Sequence, residues 1–205
     1  MNPSKRKILD NAFSLFLTGS YTAVSMKEIQ EASGLSRGAI YHHFKSKEEI
    51  YEEVITEYLL PIFSSYSTVS DEQKGSLLET IQASVKARQS HVNLLKEATS
   101  FKLVDFYFFK FVFQATEHSE SFKENVNLLV EKEFNSWRNV IQGAMRTGEI
   151  RSDIDIDSVT QLFIISPMGL GLSSAFFNYI NSVNTNDLRN VYLRYYSLLK
   201  KNSFI

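Results

Sequence analysis

The 205 residues contain no cysteine, which excludes disulfides, thiolate nucleophiles and cysteine-ligated zinc and suits a reducing compartment. Prolines number 3 and glycines 8, so few positions interrupt a helix. Charge of either sign is not in excess: the net value is -1, and the whole chain is no polycation. Between the sparse breakers, apolar residues recur at helical rather than alternating spacing, and the expected fold class is all-α. Lys5, Arg6 and Lys7 make the start basic, but the apolar stretch behind them carries Asp10 and Asn11 and has no cleavage-site pattern. That is a poor secretory signal, and a cytoplasmic location is expected. The length allows one substantial domain, or a small one followed by a medium one, and can bury a real core.

What is present is unevenly placed. Residues 1–47 hold seven basic side chains against three acidic ones, and the remainder holds fifteen against twenty. A positive module on a negative body suits a polyanion at one end. Residues 4–18 read as a helix with Ile8, Leu9, Ala12, Phe13 and Phe16 on one face and Gly19 as its stop, after which Tyr21 packs back. Ser25 and Glu28 form a capping box that opens a second helix, ended by Gly34. Ser36 caps a third through Tyr41 to His43, and Ser46 with Glu49 forms a second capping box that opens a fourth. This fourth helix runs through Val54, Ile55, Tyr58 and Leu59 to Pro61, which is expected to kink or end it. Residues 64–75 read as a loop, and further helices are expected over 76–89, 92–100, 102–116, 121–146, 156–181 and 185–201.

Residues 22–47 have the organisation of a helix-turn-helix. Ile29, Ala32, Leu35, Ile40 and Phe44 would hold the pair against the first helix, and Gly34 permits the left-handed turn between them. Ser36, Arg37 and Gly38 then lie at the end of the second helix that meets DNA, where the dipole favours phosphate and base edges come within reach. Arg37 suits a bidentate contact with guanine or a phosphate contact. The missing side chain at Gly38 lets the backbone approach closely. Tyr41 can reach a phosphate or a thymine methyl, His42 and His43 complete the DNA-binding set on that helix, and Thr22, Ser25 and Lys47 are placed for phosphates. A simple aromatic helix end with a solvated Arg37 is the plainer alternative. The turn glycine, two capping boxes and basic flank all agree against it.

At Gly19-Ser20-Tyr21, Ile29, Ala32, Gly34-Leu35-Ser36, residues 38–44 (Gly-Ala-Ile-Tyr-His-His-Phe) and residues 45–49 (Lys-Ser-Lys-Glu-Glu), the chain closely resembles the tetracycline-repressor (TetR) family of regulators. The resemblance implies a three-helix DNA-binding domain, here residues 1–47, and a six-helix ligand-binding and dimerisation domain, here residues 48–205. It also implies palindromic operators, and backbone contacts at the positions of Tyr41 and Lys47. The chain departs from the pattern at Ser20, which intervenes where the family has an aromatic directly after glycine.

In the body, Phe101, Phe106, Tyr107, Phe108, Phe109, Phe111 and Phe113 point several ways around one helix, which is expected to be buried nearly all round. Phe101, Phe108, Phe109, Phe113 and Trp137 are candidate walls of a ligand pocket, against the plainer reading of a packed aromatic core. Such walls favour an apolar or flat aromatic effector, and His91, Glu97, Asp105 and Lys110 are candidates to orient it. Phe122, Val126, Leu129, Val130, Phe134, Trp137, Ile141 and Met145 make a stripe, followed by an uncharged run over 158–186. Residues 162–180 are long enough to span a bilayer. Pro167, the nearby serines and asparagines and the lack of a basic flank favour burial against a partner helix. Phe134, Ile141, Gly169, Ser173 and Phe177 are the candidate dimer contacts, and the resemblance implies a four-helix bundle across a two-fold axis.

Gly169 and Gly171 begin a dinucleotide-like string that sits in a helix without a preceding strand, so it is set aside. The histidines have no metal spacing, Glu131 and Glu133 read as a solvated face, and no nucleophile motif is present. Neither an enzyme nor a bound cofactor or metal is expected. The expected partners are an operator duplex, a second copy of the chain and an unidentified small effector, with no membrane. A body that binds another protein, and a constitutive architectural DNA binder, are the alternatives.

Overall fold

The computed structural model describes residues 2–68, 75–99, 104–177 and 185–200. Among these there are helices and one isolated bridge, Ile150 to Lys200, but no strand. They pack as two compact units, the first comprising Met1–Ile62 and Phe106–Val126, the second Phe63–Asp105 and Asn127–Ile205. Packing therefore divides the chain differently from the expected boundary after Lys47.

In the first unit α1 (Pro3–Thr18) starts at Asn2, whose side chain accepts from the Ser4 N–H. It buries Ile8, Leu9, Ala12, Phe13, Phe16 and Leu17. The spacing of these residues gives one apolar stripe, and α2 (Met26–Ser33), α3 (Arg37–His43) and α4 (Lys47–Val54) pack on it. Ile29, Ile40 and Phe44 are buried as expected, but Ala32 is exposed and Ser33 is buried in its place. Ser33 tolerates this because its hydroxyl donates to the Gln30 carbonyl at 3.0 Å. The helix does not end at Pro61. A π-helical stretch, Ile55–Leu59, widens the turn so that the Leu60 N–H reaches the Ile55 carbonyl, and α5 (Leu60–Thr68) continues beyond. The widened turn sits where the proline ring would otherwise press on the carbonyl four residues back. The loop expected over 64–75 is thus helical to Thr68.

The first unit also draws in α7 (Val104–His118), which buries Phe111 and Ala115. The Phe111 ring meets those of Phe13 and Tyr51, each at 5.9 Å between centroids. This helix is not apolar-buried all round, since Phe106 and Phe113 are exposed.

In the second unit the two helices expected over 76–100 are one, α6 (Leu77–Thr99). It packs with α10 (Thr185–Leu199), α8 (Glu120–Thr147) and α9 (Ile156–Phe177) around Trp137, Ile141, Phe163 and Tyr192. Trp137 stacks on Phe163 at 4.8 Å, and the Tyr192 hydroxyl donates to the Phe163 carbonyl at 2.5 Å. Glu133, expected on a solvated face, is 8% exposed and pairs with Arg88 at 2.9 Å. Burial raises its carboxyl pKa despite the neighbouring guanidinium.

Candidate nucleic-acid interface

The reading helix is placed by local chemistry at both ends. Gly34 closes α2 at φ 61°, a left-handed conformation that a side chain would strain. Two residues on, the Ser36 hydroxyl accepts the Ala39 N–H at 3.2 Å and starts α3. At its far end α3 stops at Phe44, whose buried ring anchors the turn into α4. The expected capping box of α4 is split. Ser46 accepts the Glu49 N–H at 3.3 Å, but the Glu49 carboxylate turns to the Lys45 N–H at 2.7 Å. The Ser25 box is complete: Glu28 Oε2 accepts from the Ser25 N–H and hydroxyl, each at 2.8 Å, which lowers the Glu28 pKa.

The outward face of α3 carries most of the expected set. Arg37, Gly38, Tyr41 and His42 are exposed, and His43 is half-buried with its ring 5.0 Å from that of His42. Arg37 lies over the Tyr41 ring at 5.4 Å. A Cβ built on Gly38 would meet no atom within 4 Å, so nothing in the protein's own packing requires glycine there. Thr22 and Ser25 are exposed at the start of α2, the former with its hydroxyl 3.2 Å from that of Ser20.

Lys47 has an internal task that spacing alone did not reveal. Its ammonium donates to the Tyr21 carbonyl at 2.8 Å and sits 4.4 Å above the Tyr21 ring. The Tyr21 hydroxyl donates to Glu48 at 2.9 Å, and burial together with that carboxylate pushes its pKa up to about 12. Of the other module cations, Lys5 pairs with Glu53 at 2.5 Å, Arg6 with Asp10 at 3.1 Å and Lys27 with Glu31 at 3.6 Å.

The body candidates are scattered. Phe101 and Glu97 lie outside the described residues and side chains. Phe108 and Phe109 are half-buried against each other at 5.5 Å, whereas Phe113 is 58% exposed and walls no enclosed cavity. Trp137 belongs to the packed core of the second unit. A groove of about 420 Å³ runs past Gly75, Glu79, Gln82, Ala83 and Lys86, none of them an expected wall. Lys110 is engaged elsewhere, donating to the Thr18 carbonyl at 2.9 Å, and His91 lies against Ser65 at 3.2 Å.

Among the dimer candidates Ile141 must be withdrawn, because it is 0% exposed and has no surface to offer. Phe134 is partly buried against the core, and the Phe177 side chain lies outside the described set. Gly169 and Ser173 are exposed on one face of α9 with Leu162, Ile165 and Phe176, while Thr160 and Phe163 on the other face are fully buried. By length and composition alone α9 could cross a membrane, but its buried face is part of the second unit's core.

Comparison with known proteins bears on the same residues. Positions 8–54 match the family described as bacterial regulatory proteins, tetR family. The HTH-type transcriptional repressor KstR2 of Mycolicibacterium smegmatis is 27% identical over 165 residues, covering 77% of this chain and 73% of that protein. The HTH-type transcriptional regulator AcrR of Shigella flexneri is 41% identical over 51 residues, a quarter of each chain. Among solved structures, KstR2 of Mycobacterium tuberculosis superposes with a TM-score of 0.69 at 20% identity, covering 98% of this chain and 97% of the other. A SmeT–triclosan complex reaches 0.70 at 15% identity, covering 100% and 95%. The reading helix and its caps lie within residues 8–54, the stretch that matches the tetR family of bacterial regulatory proteins, and the whole-length likeness is to transcriptional regulators rather than to enzymes.

Proposed function

We propose that the protein is a cytoplasmic, ligand-responsive repressor that binds a palindromic operator as a homodimer. In this reading residues 1–47 meet DNA and residues 48–205 hold the effector and the partner subunit. The observation that carries it is Gly38: a helix position open to solvent, empty of neighbours and flanked by exposed Arg37 and Tyr41 suits a surface that approaches the chain from outside. Arg37 would contact guanine or phosphate. Ser36, Tyr41, His42, His43, Thr22, Ser25 and Lys47 would fix the register on the duplex. Lys47 keeps two further N–H donors while bonded to Tyr21, which leaves it able to meet a phosphate.

The homodimer rests on α9, where Leu162, Ile165, Gly169, Ser173 and Phe176 recur every three or four residues on an exposed face. Small residues at its centre would let two such helices approach closely. An apolar or aromatic effector is supported by the aromatic content of α7. It is supported too by two relatives, the ketosteroid regulator KstR2 and the SmeT–triclosan complex. Effector binding would shift the long helix that begins at Lys47 and so change the separation of the paired reading helices. It could loosen DNA only as far as it prefers the non-binding conformer.

The test is selection of bound duplexes from a random pool by the purified chain, followed by titration of the winner across salt. A palindrome with half-sites about one helical turn apart, and affinity falling steeply with salt, is the expected result. No enrichment, with negligible binding at low salt, would overturn the reading.

A further inference from the structure

The end of α1 and the turn after it must present Thr22 and Ser25 correctly, yet the turn's backbone groups are not all satisfied within the module. Gly19 N–H bonds to the Leu15 carbonyl at 2.7 Å, and the N–H groups of Ala23 and Val24 bond to that of Ser20 at 3.1 and 3.0 Å. Three more of them, the Thr18 and Gly19 carbonyls and the Tyr21 N–H, are met by α7, more than ninety residues along the chain. Lys110 donates to the Thr18 carbonyl at 2.9 Å, a cation against the negative end of the α1 dipole. Gln114 works in both senses: its Oε1 accepts the Tyr21 N–H at 2.6 Å and its Nε2 donates to the Gly19 carbonyl at 3.4 Å. His118 follows, its ring 4.7 Å from that of Tyr21. These residues stand at i, i+4 and i+8, one face of the helix, beside the buried Phe111 and Ala115.

We infer that Lys110 and Gln114 are positioning residues for DNA recognition: they fix the α1–α2 turn, and through it the phosphate-facing start of α2, without touching DNA themselves. The inference rests on the proposed DNA-binding reading. Packing points the same way, since α7 from Phe106 onward belongs to the unit that contains α1 to α4. A module cut at residue 47 would lose three of these four bonds from side chains elsewhere in the chain to the backbone of this turn and keep only that from Lys47.

Two side chains at position 114 separate positioning from packing. Gln114→Leu removes both bonds at nearly constant volume. Gln114→Glu keeps an acceptor for the Tyr21 N–H. In the full-length protein, on the operator selected by the unmodified chain, Gln114→Leu is expected to weaken binding about tenfold, the size of a lost hydrogen bond that leaves a partner unsatisfied. The slope of affinity against salt should stay unchanged, because no phosphate contact is lost, and Gln114→Glu should recover most of the affinity. Lys110→Met, read in the same way, is the second variant if Gln114→Leu does not fold. Binding within twofold of the unmodified chain would overturn the inference alone, as would a fall in salt slope of about 1, the mark of a direct phosphate contact. An unmodified chain that selects no sequence overturns the DNA-binding reading, and this inference with it.

Discussion

In the first unit α2, α3 and α4 are only 8, 7 and 8 residues long, and each starts on a serine whose hydroxyl accepts from the residue three positions on. In the second unit the helices run to 23 and 22 residues, and the buried charges, Arg88 and Glu133, are 45 positions apart. Helices of two turns have little propagation to offset their nucleation cost, so they lean on caps and on α1. The long helices can enclose an ion pair because the apolar packing around Trp137 and Tyr192 holds them. A reading surface made this way is stabilised in small, separable amounts, whereas the body concentrates a large effect in one pair.

Breaking that pair tests the contrast most severely. Arg88→Met leaves the Glu133 carboxylate buried without its cation and is expected to cost about 3–5 kcal/mol in denaturant unfolding. The double change Arg88→Met with Glu133→Leu should return stability to within about 1–2 kcal/mol of the original. A double variant as unstable as the single one would mean that the pair's geometry, not its desolvation, matters. The same carboxylate sets a pH signature. Its folded pKa is raised above the ordinary 4.5, so its contribution is fully present below that value and is lost as pH rises through the raised one. Melting curves of the original chain should therefore decline, relative to Glu133→Gln, as pH is taken upward from 4.5. A parallel pair of curves would contradict the burial argument.

Smaller effects belong to the first unit. Ser36→Ala removes the α3 cap and should cost about 1 kcal/mol, with weakened operator binding. No change in either would show that Phe44 alone holds the helix. On the α9 face, Ile165→Glu replaces a side chain that is 59% exposed, so the fold should lose less than about 0.5 kcal/mol. Sedimentation should nevertheless move from dimer to monomer if this face joins two copies. Opposite in sign to the others is Gly38→Ala. With no neighbour within 4 Å of the new methyl, α3 gains about 0.5–1 kcal/mol from helix propensity, while operator affinity falls. Unchanged affinity would remove the observation on which the proposed function chiefly rests.

The first four helices were legible because their boundaries are written in adjacent residues: Gly19, Gly34, and serines at 25, 36 and 46 that act within three positions. The body was less so. Residues Gln89, Ser90 and His91 look like an interruption of α6, but Ser90 donates to the Lys86 carbonyl at 3.1 Å and the helix runs through. Glu133 sits among charged neighbours along the chain, and its burial is explained by Arg88, 45 residues away, with a hydrogen bond from Trp137. The π-helical turn before Pro61 has no sequence pattern of its own, so the sequence leaves a kink or a stop open where the helix continues through a widened turn. Lys47 and Gln114 illustrate the limit at the candidate site, since a spacing rule finds side chains that face outward and misses the backbone groups they hold.

One cap in the second unit combines both styles. The first N–H groups of α6 are met locally by Ser76 and Glu79, whose hydroxyl and carboxylate serve each other's N–H. They are also met by Glu149, which accepts from Leu77 and Leu78 at 2.9 and 3.2 Å across 72 and 71 residues. The near contribution is available as soon as the chain emerges. The far one exists only after a long loop has closed, so it carries a loop-closure entropy that the near one does not and ties the start of α6 to distant chain rather than to its own neighbours.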